Sequence, residues 1–261
     1  MRIAIDAMGG DYAPLVVVQG VAQAVYAYDV DILLVGDSRK IEEVAGKIKN
    51  YPSQRIKVIH ADSVVAMDDA STVSVRSKKD SSISVGINLL KSNEADAFVS
   101  AGNTGAVVCA STVTLGLLPG IERAGIGVVF PTPKGVSMVI DVGANIDPKP
   151  LHLLQYAIMA EAYYQCVLGN EKKPSIGLLN VGEENTKGTE FIKEAFQLLS
   201  KSPMNFIGNA EGKEIFSGNC NIIVCDGYVG NVALKVTESV AEMLNEVLRG
   251  EILQGFFGKL G

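Results

Sequence analysis

The sequence predicts an α/β fold, a mainly parallel sheet flanked by helices. Short apolar runs alternate with longer amphipathic segments along nearly all of the 261 residues, the rhythm of strands joined by covering helices. Five of the runs end in glycine- or asparagine-rich loops, as expected at the carboxyl edge of an open sheet. One stretch, 125–141, breaks the rhythm around Pro131-Thr132-Pro133-Lys134-Gly135 and reads as a hairpin.

Taken in order, the first strand spans 2–7, and the chain then turns at Gly9 and Gly10. Asp11 follows, a residue type suited to cap the helix expected over 14–28. Strands at 31–35, 56–59 and 97–100 are short apolar runs, separated by amphipathic stretches at 38–49, 72–91 and 104–118 that read as helices. The hairpin supplies strands 125–130 and 136–141, and Pro148 and Pro150 introduce a helix over 150–168. Strands 175–180, 205–207 and 221–225 alternate with helices 188–200 and 231–249. No linker, repeat or composition shift divides the chain, so 1–261 reads as one domain. At the end, Ile252, Leu253, Phe256, Phe257 and Leu260 recur at helical spacing. They form an apolar face for a helix partner or for a peripheral membrane contact.

Composition narrows the function. A net charge of −6 without a block of basic residues argues against nucleic acid as a partner. Cys109, Cys166, Cys220 and Cys225 lack CxxC spacing, which favours reduced, buried thiols. The opening run is too short for a signal peptide, and no run approaches the roughly 20 apolar residues of a membrane span. The expectation is a cytoplasmic protein. His60 and His152 have no nucleophile motif beside them, and neither a metal-ligand spacing nor a GxGxxG fingerprint is present. No metal or other cofactor is implied.

The five loops carry the candidate chemistry. They are Gly9-Gly10-Asp11, Ala101-Gly102-Asn103-Thr104-Gly105, Val142-Gly143-Ala144-Asn145, Asn180-Val181-Gly182-Glu183-Glu184-Asn185 and Asp226-Gly227-Tyr228-Val229-Gly230-Asn231. Glycine exposes backbone, helix-start amides point outward, and the helix dipole favours an anion. Any one loop is an ordinary capped turn, whereas five on one predicted edge form an anion-accepting cleft. Lys187, just before a helix start, is placed to meet an anion, and Arg76, Lys78 and Lys79 form a basic segment. That segment reads either as a solvated helix face or as a cationic wall for a phosphate or a phosphorylated carrier.

Together these segments resemble the PlsX family of phosphate acyltransferases. The matching blocks begin with 1–11 followed by Ala13-Pro14, Leu34-Val35-Gly36-Asp37, Lys78-Lys79-Asp80-Ser81-Ser82 and Ser100-Ala101-Gly102-Asn103-Thr104-Gly105. They continue with Asp141-Val142-Gly143-Ala144-Asn145, Leu178-Leu179-Asn180-Val181-Gly182 and 226–231, in family order. Two departures stand out. Tyr12 replaces a histidine found in many members, and the family pattern continues past residue 261. The sequence therefore reads as a C-terminally shortened member.

The resemblance implies an isocitrate/isopropylmalate dehydrogenase-like α/β fold, a homodimer, and attack of inorganic phosphate on the thioester of acyl-acyl carrier protein. The acyl-phosphate formed serves phospholipid synthesis, and handing it on suits a peripheral position at the inner face of the cell membrane. Phosphate is itself a nucleophile and a thiol leaves readily, so the protein has to supply position and charge. Lys187 is expected to neutralise developing charge, Asp11 to organise the first loop, and Asn145 to hydrogen-bond the reacting oxygens. Gly9, Gly10, Gly102, Asn103, Thr104, Gly105, Asn180, Asp226 and Asn231 are expected around phosphate. Arg76, Lys78 and Lys79 are expected at the entry of carrier protein or anion. A phosphotransacetylase-like enzyme using coenzyme A, and a non-catalytic scaffold docking carrier or membrane, are the rival readings.

Overall fold

The structure is a computed structural model that describes residues 1–168 and 173–257. All nine expected strands form, but they divide between two sheets in two compact units, Met1–Leu118 and Pro119–Gly261. The sequence shows no boundary there because both halves share one strand–helix rhythm.

In the first unit the order is β1 (Arg2–Asp6), α1 (Leu15–Ala27), β2 (Asp31–Gly36), α2 (Ser38–Ala45), β3 (Ile56–His60), α3 (Ser71–Ser77), α4 (Ser82–Lys91), β4 (Ala97–Val99) and α5 (Thr104–Leu115). The sheet runs β3-β2-β1-β4, every pair parallel. Alternate side chains of β2 face opposite sides, as the pleat requires. Ile32 and Leu34 pack with Val18, Val21 and Val25 of α1, while Val35 joins Ala4 and Leu89 of α4 on the other side. Gly86 lets α4 lie against the Phe98 ring, which a Cβ there would approach to 2.1 Å.

Two expectations fail locally. The helix expected over 72–91 is two helices, because Ser81 takes an extended conformation and caps α4, its hydroxyl accepting from the Ser84 amide at 3.2 Å. Asp11 caps nothing: it is exposed, and α1 starts after Pro14 without a side-chain cap.

The second unit contains β5 (Gly127–Thr132), β6 (Gly135–Ile140), α6 (Pro150–Tyr163) with a π-helical turn Tyr164–Leu168, β7 (Ile176–Leu179), α7 (Glu190–Ser200), β8 (Phe206–Ala210), α8 (Glu214–Ser217), β9 (Ile222–Val224) and α9 (Gly227–Phe257). The order is β5-β6-β9-β7-β8. The expected hairpin is present, β5 and β6 pairing antiparallel, and the other pairs are parallel. Ile176, Leu178, Ile222 and Val224 pack under Leu153, Tyr156 and Ala160 of α6 and Leu199 of α7. Fully burying such side chains stabilises by about 1.5–3 kcal/mol each.

Helix α9 is longer at both ends than the expected 231–249. It starts early because Asp226 accepts from the amides of Tyr228 at 3.0 Å and Val229 at 2.9 Å. Ile252, Leu253, Phe256 and Phe257 lie on its helical backbone, and Leu260 lies outside the described residues.

Candidate active site

In each unit the candidate loops follow neighbouring parallel strands, and a buried carboxylate at a strand end organises them. In the first unit this is Asp6, 2% exposed. It accepts from the Met8 amide at 3.0 Å and from the Ser100 hydroxyl at 2.7 Å. Ser100 in turn accepts from the Gly102 amide at 3.0 Å, so one carboxylate ties the loop after β1 to the loop after β4. The two loops meet backbone to backbone: a Cβ on Gly9 would lie 2.6 Å from the Gly102 nitrogen. Gly10 adopts φ +96°, a conformation that favours glycine.

Beyond this seam the candidates part company. Thr104 and Gly105 are exposed on the first turn of α5, where amides lack intrahelical acceptors. Asn103 is buried and faces inward. Its oxygen caps α5 by accepting from the Ala106 amide at 2.9 Å, and its Nδ2 donates to the carbonyls of Ala66, Met67 and Asp69. Asn103 therefore holds the 66–69 segment against the helix start rather than presenting its amide nitrogen to a ligand.

The basic segment divides likewise. The Lys78 ammonium lies 2.6 Å from Asp69 and donates to the Val64 carbonyl at 2.8 Å. Those contacts, the Lys78 hydrogen bond first and the Ala66 amide next, hold the Asp69 carboxyl below its ordinary pKa. Arg76 and Lys79 are exposed, and among the described residues neither has an ion-pair or hydrogen-bond partner.

In the second unit Asp141, fully buried, plays the organising part. One oxygen accepts from the amides of Ile126 at 3.1 Å, Gly143 at 3.1 Å and Ala144 at 2.8 Å. The other accepts from the Asn145 amide at 2.8 Å and from Asn145 Nδ2 at 3.1 Å. Asn145 Nδ2 also donates to the Ala124 carbonyl at 2.6 Å. Both protons of that side-chain amide are thus engaged inside the loop. Nearby Tyr156 is buried, and burial, with the Asp141 charge adding to it, pushes its hydroxyl above the usual tyrosine range.

The start of α9 packs directly on this loop. The Gly227 amide donates to the Asn145 carbonyl at 2.8 Å. A Cβ on Gly227 would come within 2.5 Å of that oxygen, and one on Gly230 within 2.0 Å of the Asp141 carbonyl. Asn231 is exposed beside Gly143, whose φ is +141°. After β7, Asn180 accepts from the Val181 amide at 2.8 Å and donates to the Lys187 carbonyl at 3.1 Å, which sets the loop carrying Lys187. The Lys187 ammonium is exposed and has no partner among the described residues. Because β6, β9 and β7 are adjacent and parallel, their three loops share the carboxyl edge of this unit's sheet.

Sequence reasoning missed Asp6, Ser100 and Asp141. The signal was present: an aspartate ends each apolar run just before a glycine loop, at Ile5-Asp6 and Ile140-Asp141.

Comparison with known proteins identifies the family. The chain matches the model of the fatty acid synthesis protein family over residues 1–261. It is 45% identical to the phosphate acyltransferase of Alkaliphilus oremlandii over 261 residues, which are 100% of this chain and 77% of that protein. Its fold is similar to EutD phosphotransacetylase from Staphylococcus aureus, with a TM-score of 0.63, 17% identity, and coverage of 92% of this chain and 82% of that one. It is also similar to a 4-hydroxythreonine-4-phosphate dehydrogenase from Burkholderia phymatum, with a TM-score of 0.54, 17% identity, and coverage of 90% and 83%. The full-length match places this chain in the fatty acid synthesis protein family, the PlsX family of phosphate acyltransferases, and makes it an acyltransferase of lipid synthesis.

Proposed function

We propose that this protein transfers an acyl group from the thioester of acyl-acyl carrier protein to inorganic phosphate. A phosphate oxygen attacks the carbonyl carbon, the carbon–sulfur bond breaks, and the sulfur leaves as the carrier thiol, taking a proton that phosphate gives up. Acyl-phosphate is the product. The observation that carries this reading is the carboxyl edge of β6, β9 and β7, where bare backbone lies with the Lys187 ammonium, unpartnered among the described residues, while the one thiol there, Cys225, is buried and donates to the Asp141 carbonyl.

Lys187 is assigned to the anion and to the charge that grows on the carbonyl oxygen, where preorganised groups are worth most. Asn180 positions its loop, and Asp226 and Asn231 line the start of α9. Asn145 holds the 141–145 loop in shape, since its Nδ2 is engaged. In the first unit the amides at Gly9, Gly10, Thr104 and Gly105 are the corresponding anion donors, the Gly102 amide being held by Ser100, and Asp6, not Asp11, keeps their loop in place.

The test is phosphate-dependent release of carrier thiol from acyl-acyl carrier protein, run beside acyl-coenzyme A. Thiol release from the carrier thioester supports the reading. Preference for the coenzyme A ester would make the protein phosphotransacetylase-like, and no release from either would leave a scaffold. The same reading includes a cytoplasmic homodimer. It is supported by the stripe of Val232, Val236, Val240, Met243 and Val247 exposed along α9. Among the described residues, no helix is long and apolar enough to cross a membrane. A monomer in sedimentation equilibrium would overturn the dimer.

A further inference from the structure

We propose that the groove between α3, α4 and α5 of the first unit is the docking surface for an acidic protein, the carrier that bears the acyl thioester; the identity of that partner rests on the function proposed above. The groove encloses about 430 Å³, lined by Val75, Arg76, Lys79, Ser84, Asn88 and Val113 among others. Two valines line it beside the neutral polar Ser84, Asn88 and Thr114, it holds two cations, and no carboxylate lines it. Arg76 also borders a second depression of about 400 Å³ with Thr72 and Val73. Val73 and Val113 are 64% and 69% exposed, so aliphatic surface flanks the cations on both sides.

Charge decides the kind of partner. The chain as a whole carries −6, which opposes approach of an acidic protein. Arg76 and Lys79 are not neutralised by any neighbour among the described residues, whereas Lys78 between them is committed to Asp69. That pairing fixes the segment and leaves its two neighbours as the exposed charge. A free phosphate ion is best held by convergent donors in a closed pocket. An open groove that mixes valine and neutral polar lining with two exposed cations fits a protein surface whose carboxylates flank an apolar side chain.

The experiment uses the Arg76→Glu, Lys79→Glu double variant and purified acyl carrier protein. Both side chains are exposed, and an unchanged melting temperature confirms that the variant folds. With acyl carrier protein as donor, KM for the carrier should rise about tenfold or more, as for reversal of rim charges, while KM for phosphate stays put. The wild type's loss of carrier affinity with added salt should largely disappear in the variant. An unchanged KM for carrier would overturn the proposal, as would a parallel rise in KM for phosphate. Loss of binding to anionic phosphatidylglycerol vesicles, with carrier binding intact, would assign the groove to a lipid surface instead and equally overturn it. Should wild-type protein release no thiol at all, the acyl-transfer reading fails. Calorimetric titration of wild type and variant with unacylated carrier protein then decides the docking surface separately: weaker binding by the variant supports it, and equal or absent binding overturns it.

Discussion

Replacing Asp141 by asparagine keeps the volume of the side chain and removes its charge and one acceptor. Five donors converge on the carboxylate: three amides on one oxygen, and the Asn145 amide and Nδ2 on the other. If the asparagine oxygen serves the first three, its NH2 group faces the remaining two donors, which lose their acceptor. Each buried donor left unsatisfied costs about 1–3 kcal/mol, so the pair costs about 2–6 kcal/mol. The three retained bonds also weaken on losing charge assistance. Relief from burying a charge offsets part of this. A net loss of about 3 kcal/mol is expected, read from the urea midpoint followed by far-ultraviolet circular dichroism. Turnover should fall with it, because the loop that seats α9 loses its internal support. A loss below about 1 kcal/mol with unchanged turnover would refute the reasoning, since the carboxylate would then not be what shapes the loop.

Other outcomes follow from the same geometry. Lys187→Ala should lower turnover by roughly 10²–10³ while leaving the melting temperature unchanged, as expected of an exposed charge acting on the reacting oxygens; near-normal kcat removes it from the mechanism. Gly230→Ala places a methyl group against the Asp141 carbonyl, where no flexible side chain can give way. It should cost about 1–3 kcal/mol of stability in thermal unfolding, and a neutral result would mean α9 does not seat as described. Asp69 has its pKa lowered by Lys78, so its contribution to stability is present above the ordinary carboxylate value and is lost as pH falls through the lowered one. Lys78→Met should therefore flatten the fall of melting temperature in the acid range, and an unaltered acid slope would count against the clamp.

Much of the fold was legible because β-strand signals here are local. Runs such as Ile32-Leu33-Leu34-Val35 stand out between polar segments, and the Pro-Thr-Pro-Lys-Gly turn marks the hairpin without reference to anything distant. The partition into two sheets was not legible, since which strands pair depends on contacts far apart in sequence. Asn103 and Lys78 show the same limit at the site. By residue type each is a good anion ligand, yet Asn103 faces three carbonyls and Lys78 a carboxylate that only the folded chain brings near. Asp11 and Asp6 are a matched case: sequence favoured the exposed aspartate next to the glycines, while burial selected the one that ends the strand.

The glycine seams between Gly9 and Gly102, and between the start of α9 and the 141–145 loop, also bear on how the enzyme can change. Where main chain touches main chain, substitution has almost no vocabulary: any side chain wedges the seam open, and no exchange of one residue for another can tune it gradually. In the acyl-transfer role proposed above, selection for a new acyl donor or a different working rate would act on exposed residues such as Lys187, Asn231, Arg76 and Lys79, while the seams stay fixed. A library that randomises the seams should return mostly unfolded protein, and one that randomises those exposed residues should return folded variants of graded activity.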